Sequence, residues 1–283
     1  MAHAISAEPT IHMGAPVSNG KLAMWIFLAT EVMFFTGLIG TYIVLRNGTP
    51  TADERWPIPE QVHLVEWIGA LNTFVLICSS VTVVLAHHAL GKANIKAATG
   101  YVAITLALGG VFLVIKGIEY NSKFQHGILP GRVFDRLAGV RGVQYLTTVR
   151  EELKHIEHSG YAGPAKADIE KLLADLELKD GQAQITPKHL GDRVEDILHN
   201  KDESLHLSKV IPFGNLWASC YFAMTGFHAL HVLGGLVIFV IILLMALRGA
   251  LGTQHESFLE LTGLYWHFVD VVWIFLFPLL YLV

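Results

Sequence analysis

Leu22–Leu45 reads LAMWIFLATEVMFFTGLIGTYIVL, an apolar run with one carboxylate, Glu31, well inside it. A helix rises about 1.5 Å per residue and the hydrocarbon core of a bilayer is about 30 Å thick, so roughly 20 apolar residues span it. An acid at that depth costs about 2.5–3.5 kcal/mol or more when charged. Glu31 must therefore be protonated, paired, or turned toward another helix or a water-filled cavity. The run reads as a membrane helix whose polar group needs a partner elsewhere in the chain.

The composition agrees. The chain has 283 residues, 53% hydrophobic and only 16% charged, with a mean hydropathy of +0.48, a balance that marks a polytopic membrane protein. A net charge of −4 argues against nucleic acid as a partner. The first 20 residues are polar without a basic cluster, and no small-residue cleavage site directly follows the apolar run, so it reads as a retained helix rather than a signal peptide. Cys78 and Cys220 both lie in apolar spans, where neither a disulfide nor a two-thiol metal site is expected.

Charge divides the chain. Of its 44 charged residues, 26 fall in the 86 positions from Ser122 to Leu207, as 12 basic and 14 acidic groups. Outside that stretch, four further spans follow the first: about Trp67–Leu90, Ala97–Tyr120, Ile211–Leu247 and Glu256–Val283. Ser18-Asn19-Gly20 offers helix N-caps, and Cys78, Thr82 and Ala86 form a small-residue stripe suited to close helix approach. The sequence therefore predicts an all-α polytopic membrane bundle of five transmembrane helices, with a polar, partly helical insertion between helices 3 and 4. Its parts are a polar N-terminal segment (1–21), helices 1–3 (22–120), the extramembrane insertion (121–208) and helices 4–5 (209–283).

Within the insertion, helical patterns cover Val143–His158 and Ala165–Leu178, the second with Ile169, Leu172, Leu173 and Leu176 on one face. Gly181 to Pro187 breaks the pattern, and Asp192–His199 reads as a last short helix. The apolar face around Ile169–Leu176 needs a cover, either from the insertion itself or from a neighbouring subunit.

Inside or at the ends of the spans lie Glu31, His87, His88, Glu119, His228, His231, His267 and Asp270. Imidazoles are common metal ligands, and one reading is haem ligation by the span histidines, as in a membrane cytochrome. The other is interhelical hydrogen bonding among buried polar groups, worth roughly 1 kcal/mol each. For the histidines, Glu119 and Asp270 the structural reading is preferred, with no metal site and no catalytic residue expected in this chain. His267 and Asp270, spaced i,i+3, share a face; Asp270 either orients the imidazole or is neutralised by it. Glu31 is the candidate for a proton-uptake or lipid site.

Five segments, in order, resemble subunit III of haem–copper oxidases, the cytochrome c and quinol oxidase family: ATEVMFFTGLIGTYIVLR around Glu31, LNTFVLICSSVTVVLAHHAL, KGIEY at the end of the third span, TGFHALHVLGG, and YWHFVDVVWIFLFPLLYLV. The resemblance implies a subunit without a redox cofactor of its own, with haem and copper in partner subunits. It implies contact with subunit I and membership beside subunit II, bound phospholipids, and support for proton uptake and sustained turnover. Glu31 matches the family's intramembrane glutamate; His228, His231 and His267 match polar residues packed inside the bundle. Many members have seven spans, whereas this chain reads as five, without the first two, and carries an insertion outside the usual pattern. Alternatives are a quinol oxidase subunit III, the related accessory protein of nitric oxide reductase, or the membrane cytochrome. Lys21, Lys92, Lys96 and Arg248 in short segments favour a cytoplasmic N-terminus. The expected location is a bacterial inner (plasma) membrane, with the insertion and the C-terminus periplasmic.

Overall fold

The computed structural model describes residues 18–48, 56–179, 182–202 and 205–282. Five of its helices are long and apolar enough to cross a membrane: α1 (Asn19–Asn47), α2 (Glu66–Gly91), α3 (Ile95–Gln125), α7 (Gly214–Leu247) and α8 (Glu256–Tyr281). Between α3 and α7 come α4 (Val140–His158), α5 (Lys166–Asp175) and α6 (Pro187–Asn200), with a two-residue antiparallel pair, Leu178–Lys179 against Gln182–Ala183.

Local chemistry sets the ends. Ser18 caps α1 by accepting from the Lys21 amide, and Asn94 caps α3 by accepting from the Ala97 amide at 3.1 Å. Thr186 caps α6 with Pro187 at its first turn, where a missing N–H costs nothing. That helix therefore begins five residues before the expected Asp192. In the other direction, α5 stops at Asp175, short of the expected Leu178, because the chain turns there into the small hairpin. The third span runs on past Tyr120 to Gln125 and carries the chain out of the bundle as helix.

The bundle closes around α8, whose Trp266, Trp273 and Tyr281 are fully buried. Gly109 of α3 and Gly235 of α7 face the Trp266 ring; a Cβ at either would lie 2.9 and 2.6 Å from its carbons, so only glycine admits the indole. Its Nε1 donates to Ser79 Oγ at 2.9 Å, and Trp273 Nε1 donates to Thr73 Oγ1 at 3.0 Å. Thr82 of the small-residue stripe meets Thr105 of α3 at 2.7 Å, and Ala86 is fully buried. The first helix is more loosely held. It buries only Phe35 and Tyr42, and Lys21 reaches Glu260 of α8 at 2.7 Å.

The insertion has its own core. Tyr145, Val149 and Leu153 of α4 pack with Ile169 and Leu172 of α5 and with Leu190, Val194 and Ile197 of α6. The apolar face that sequence left in need of a cover is covered from within the insertion. Where the insertion meets the bundle, Asn215 accepts from the Val133 amide at 3.1 Å and donates to its carbonyl at 2.7 Å, and the Ile211 amide donates to Phe134 O at 2.9 Å. The two ends of the insertion are thus stitched together.

Candidate functional site

Two polar groupings are built inside the spans. In the first, Glu31 on α1 meets His231 on α7, with Oε2 and Nε2 3.0 Å apart. Both side chains are partly open, at 20% and 17% exposure, so the pair is not sealed in the core. The His231 ring lies against Phe35 and Tyr265. Tyr265 donates to the His231 carbonyl at 2.9 Å.

The hydrogen-bond inventory fixes how this pair holds its protons. His231 Nδ1 is 2.7 Å from the Phe227 carbonyl, which can only accept, so Nδ1 carries a hydrogen. The contact from Nε2 to Glu31 then contains one proton. It rests either on the carboxyl, giving a neutral pair, or on the imidazole, giving an ion pair. Moving it across 3.0 Å changes no net charge.

The second grouping lies deeper, with Lys116, Tyr221 and Tyr281 buried and the Glu119 side chain 10% exposed. Lys116 Nζ donates to Glu119 Oε1 at 2.9 Å, Tyr281 OH at 2.8 Å and Tyr221 OH at 3.2 Å, using all three of its hydrogens. Tyr281 OH donates to Glu119 at 2.7–2.8 Å and Tyr221 OH also donates to it. The ammonium lies 4.9 Å from the Trp273 ring centroid, at cation–π range. A buried ion pair needs its remaining donors and acceptors satisfied before attraction outweighs desolvation, and here α3, α7 and α8 each supply them. Two turns beyond Lys116, Lys123 is fully buried, and among the described residues no carboxylate meets its ammonium: it donates to the carbonyls of Val62 and His63 and faces Trp217 and Tyr221. It ties the loop before α2 to the end of α3.

The remaining candidates are placed singly. His228 is buried between Phe112 and Trp273, and among the described residues neither ring nitrogen has a hydrogen-bond partner. His267 Nδ1 bonds Ser80 Oγ of α2 at 2.5 Å. Asp270 is buried and, among the described residues, makes no hydrogen bond to the His267 ring. His87 is half-buried, 3.8 Å from Glu256. His88 is exposed, which removes it from the buried set: α2 turns Ala86, Ala89 and Leu90 inward at its end, leaving residue 88 outside. Among the described residues no three His, Cys, Asp or Glu side chains gather as a metal site. Sequence reading missed Lys116, Lys123, Tyr221 and Tyr281. The available signal was Lys116 three residues before Glu119 at the end of an apolar span.

Fold and groupings together define a polytopic helical membrane protein in which Glu31 meets His231 across two helices and Lys116 and Glu119 of α3 are held by tyrosines of α7 and α8. A family model described as cytochrome c oxidase subunit III matches residues 3–144 and 208–283. The chain belongs to the cytochrome c oxidase subunit III family. It is 26% identical over 262 residues to cytochrome c oxidase subunit 3 of Thermostichus vulcanus, covering 92% of this chain and 86% of that one. It is 25% identical over 274 residues to the subunit 3 proteins of Gadus morhua and Squalus acanthias, covering 95% of this chain and 72% of each. The chain is thus a haem–copper oxidase subunit III, one component of a respiratory oxidoreductase complex; the quinol oxidase, nitric oxide reductase and membrane cytochrome alternatives are not favoured. Residues 145–207, which hold most of the insertion's core, lie outside the family match.

Proposed function

We propose that this chain flanks subunit I in a bacterial inner-membrane cytochrome c oxidase, with subunit II and bound phospholipids in the same complex, and supports proton entry to the catalytic subunit through Glu31 and His231. The complex would reduce O2 with electrons from cytochrome c, using haem and copper held by its partner subunits. Nothing in that chemistry is asked of this chain beyond holding and passing a proton. The observation that carries the reading is the contact of 3.0 Å between Glu31 and His231, both half-buried between α1 and α7. A neutral pair is cheap to keep in hydrocarbon, and it becomes an ion pair by a shift of one hydrogen. The N-terminus is placed in the cytoplasm on the basic short segments, which puts the insertion and the C-terminus in the periplasm.

Glu31→Gln tests this. The amide keeps the shape and a hydrogen bond to Nε2 but removes the exchangeable acid. The complex is expected to assemble with normal spectra, take up protons several-fold more slowly and lose activity sooner during turnover. A variant complex equal to the native one in uptake rate, turnover lifetime and phospholipid content would overturn the role.

A further inference from the structure

A cavity of about 680 Å3 lies where the insertion meets the bundle, walled by the end of α3, the start of α4 and the segment leading into α7. Its polar lining is unbalanced. Arg132, Arg141 and Lys209 contribute three fixed cations, and Glu152 is the one acid among the described lining residues. That carboxylate is already committed: it accepts from the Ser208 amide at 2.8 Å and from Ser208 Oγ at 2.6 Å. Arg141 donates to the Gly131 carbonyl at 3.2 Å, and among the described residues no acid pairs with Arg132, Arg141 or Lys209.

Three imidazoles stack along the same wall. His63 and His126 have centroids 4.1 Å apart, and His126 and His206 5.2 Å, with near-parallel planes. His63 is pushed down to about 4, first by burial and then by the positive charge of His126, Lys209, Lys123 and His206. Among the described lining residues, cations outnumber acids three to one.

Its setting supplies a second property. The membrane helix α3 ends in the cavity wall, and around the opening Phe124, Val140 and Val143 stand 56%, 76% and 64% exposed. Cations at the depth where a span ends, beside exposed apolar side chains, match an amphiphile with a phosphate head. A free anion needs the first feature and has no use for the second.

We propose that this cavity is a headgroup site for an anionic phospholipid, its phosphate held by Arg132, Arg141 and Lys209 and its acyl chains leaving over Phe124, Val140 and Val143. The site is separate from the Glu31–His231 pair and is partly built from residues outside the family match.

Photoreactive phosphatidylglycerol and phosphatidylcholine, added to the lipid-exchanged oxidase complex in detergent, test the proposal when the labelled peptides are mapped. Phosphatidylglycerol is expected to label residues 124–148 and 205–209, and phosphatidylcholine not. Removing each cation is expected to lower the phosphatidylglycerol affinity about fivefold, so Arg132→Gln/Arg141→Gln/Lys209→Gln abolishes labelling. Arg132→Gln alone, an exposed change, gives the single step should the triple variant fail to assemble. Inorganic phosphate at millimolar concentration is expected not to compete. Displacement by inorganic phosphate would make the site one for a free anion and overturn the lipid. Equal labelling by both lipids, insensitivity to the substitutions, or no label at these residues would overturn the site altogether. A normal Glu31→Gln phenotype would leave this result untouched, so the two readings fail separately.

Discussion

In the membrane bundle Lys116, Lys123, His228 and Asp270 are buried while Trp67, Phe74 and Val114 stand more than 60% exposed on the outer surface. In the insertion the charges stay outside: Val149, Leu153, Leu172 and Val194 are fully buried, and Asp168 outside them meets Lys201 and Arg193. One chain thus builds two apolar cores, of which the bundle's also takes in charged side chains and leaves large apolar ones outside, because the solvent differs. Lipid gives no reward for burying leucine, so the bundle is held by close packing and interhelical polar contacts. Water does, so the insertion is held by its aliphatic centre.

The contrast is most exposed at Lys116. Lys116→Met leaves Glu119 buried among two tyrosines without its cation, a change expected to cost about 3–5 kcal/mol. Thermal melting of the purified complex and retention of this subunit in detergent would read it. Lys116→Met/Glu119→Gln should recover part of the loss; a single variant losing under about 1 kcal/mol would show that the pair is not ionised in the fold. The counterpart in the insertion is Leu172→Ala, which empties a fully buried aliphatic site at about 2–5 kcal/mol. Trypsin added to intact spheroplasts should then cut the insertion faster than in the native chain while the bundle fragments survive. Cutting confined to inverted vesicles would place the insertion in the cytoplasm and reverse the proposed topology.

The smallest effect belongs to the surface. Lys201 foremost, by hydrogen bond and charge, holds the Asp168 carboxyl below its usual range. A depressed acid adds stability above its unfolded titration range and loses it as pH falls through the lower folded value. Asp168→Asn is therefore expected to destabilise the insertion by only about 0.2–1 kcal/mol at neutral pH, less in high salt, and not at all once the native carboxyl is protonated. Hydrogen exchange in α5 and α6 across pH would show the two proteins converging in acid.

How much was legible follows the same division. The five spans were visible because length and apolarity alone define them, and Ser18 was visible as a cap. The amphipathic face of α5 could be read because one side of that helix meets water. In α1, α3 and α7 apolar residues lie all round, so nothing local says which way Glu31, Lys116 or His231 turns. Their partners are remote: Tyr221 and Tyr281 lie 105 and 165 positions from Lys116, and His231 lies 200 from Glu31. A lysine near the end of a span is ordinarily read as reaching outward to the headgroups; Lys116 and Lys123 turn inward because tyrosines and loop carbonyls wait for them. The histidine stack joins two loops and a helix end, which no periodicity encodes.

The stitch of Asn215 to Val133 bears on inheritance. It brings the entry and exit of the insertion to one point, so the path of the bundle helices is indifferent to what is strung between them. Segments with adjacent ends are the ones that chains gain and shed with least disturbance. The family match breaks off at residue 144 and resumes at 208, close to that point. A lineage could therefore acquire or discard this cassette in a single event, without re-evolving any helix contact in the membrane.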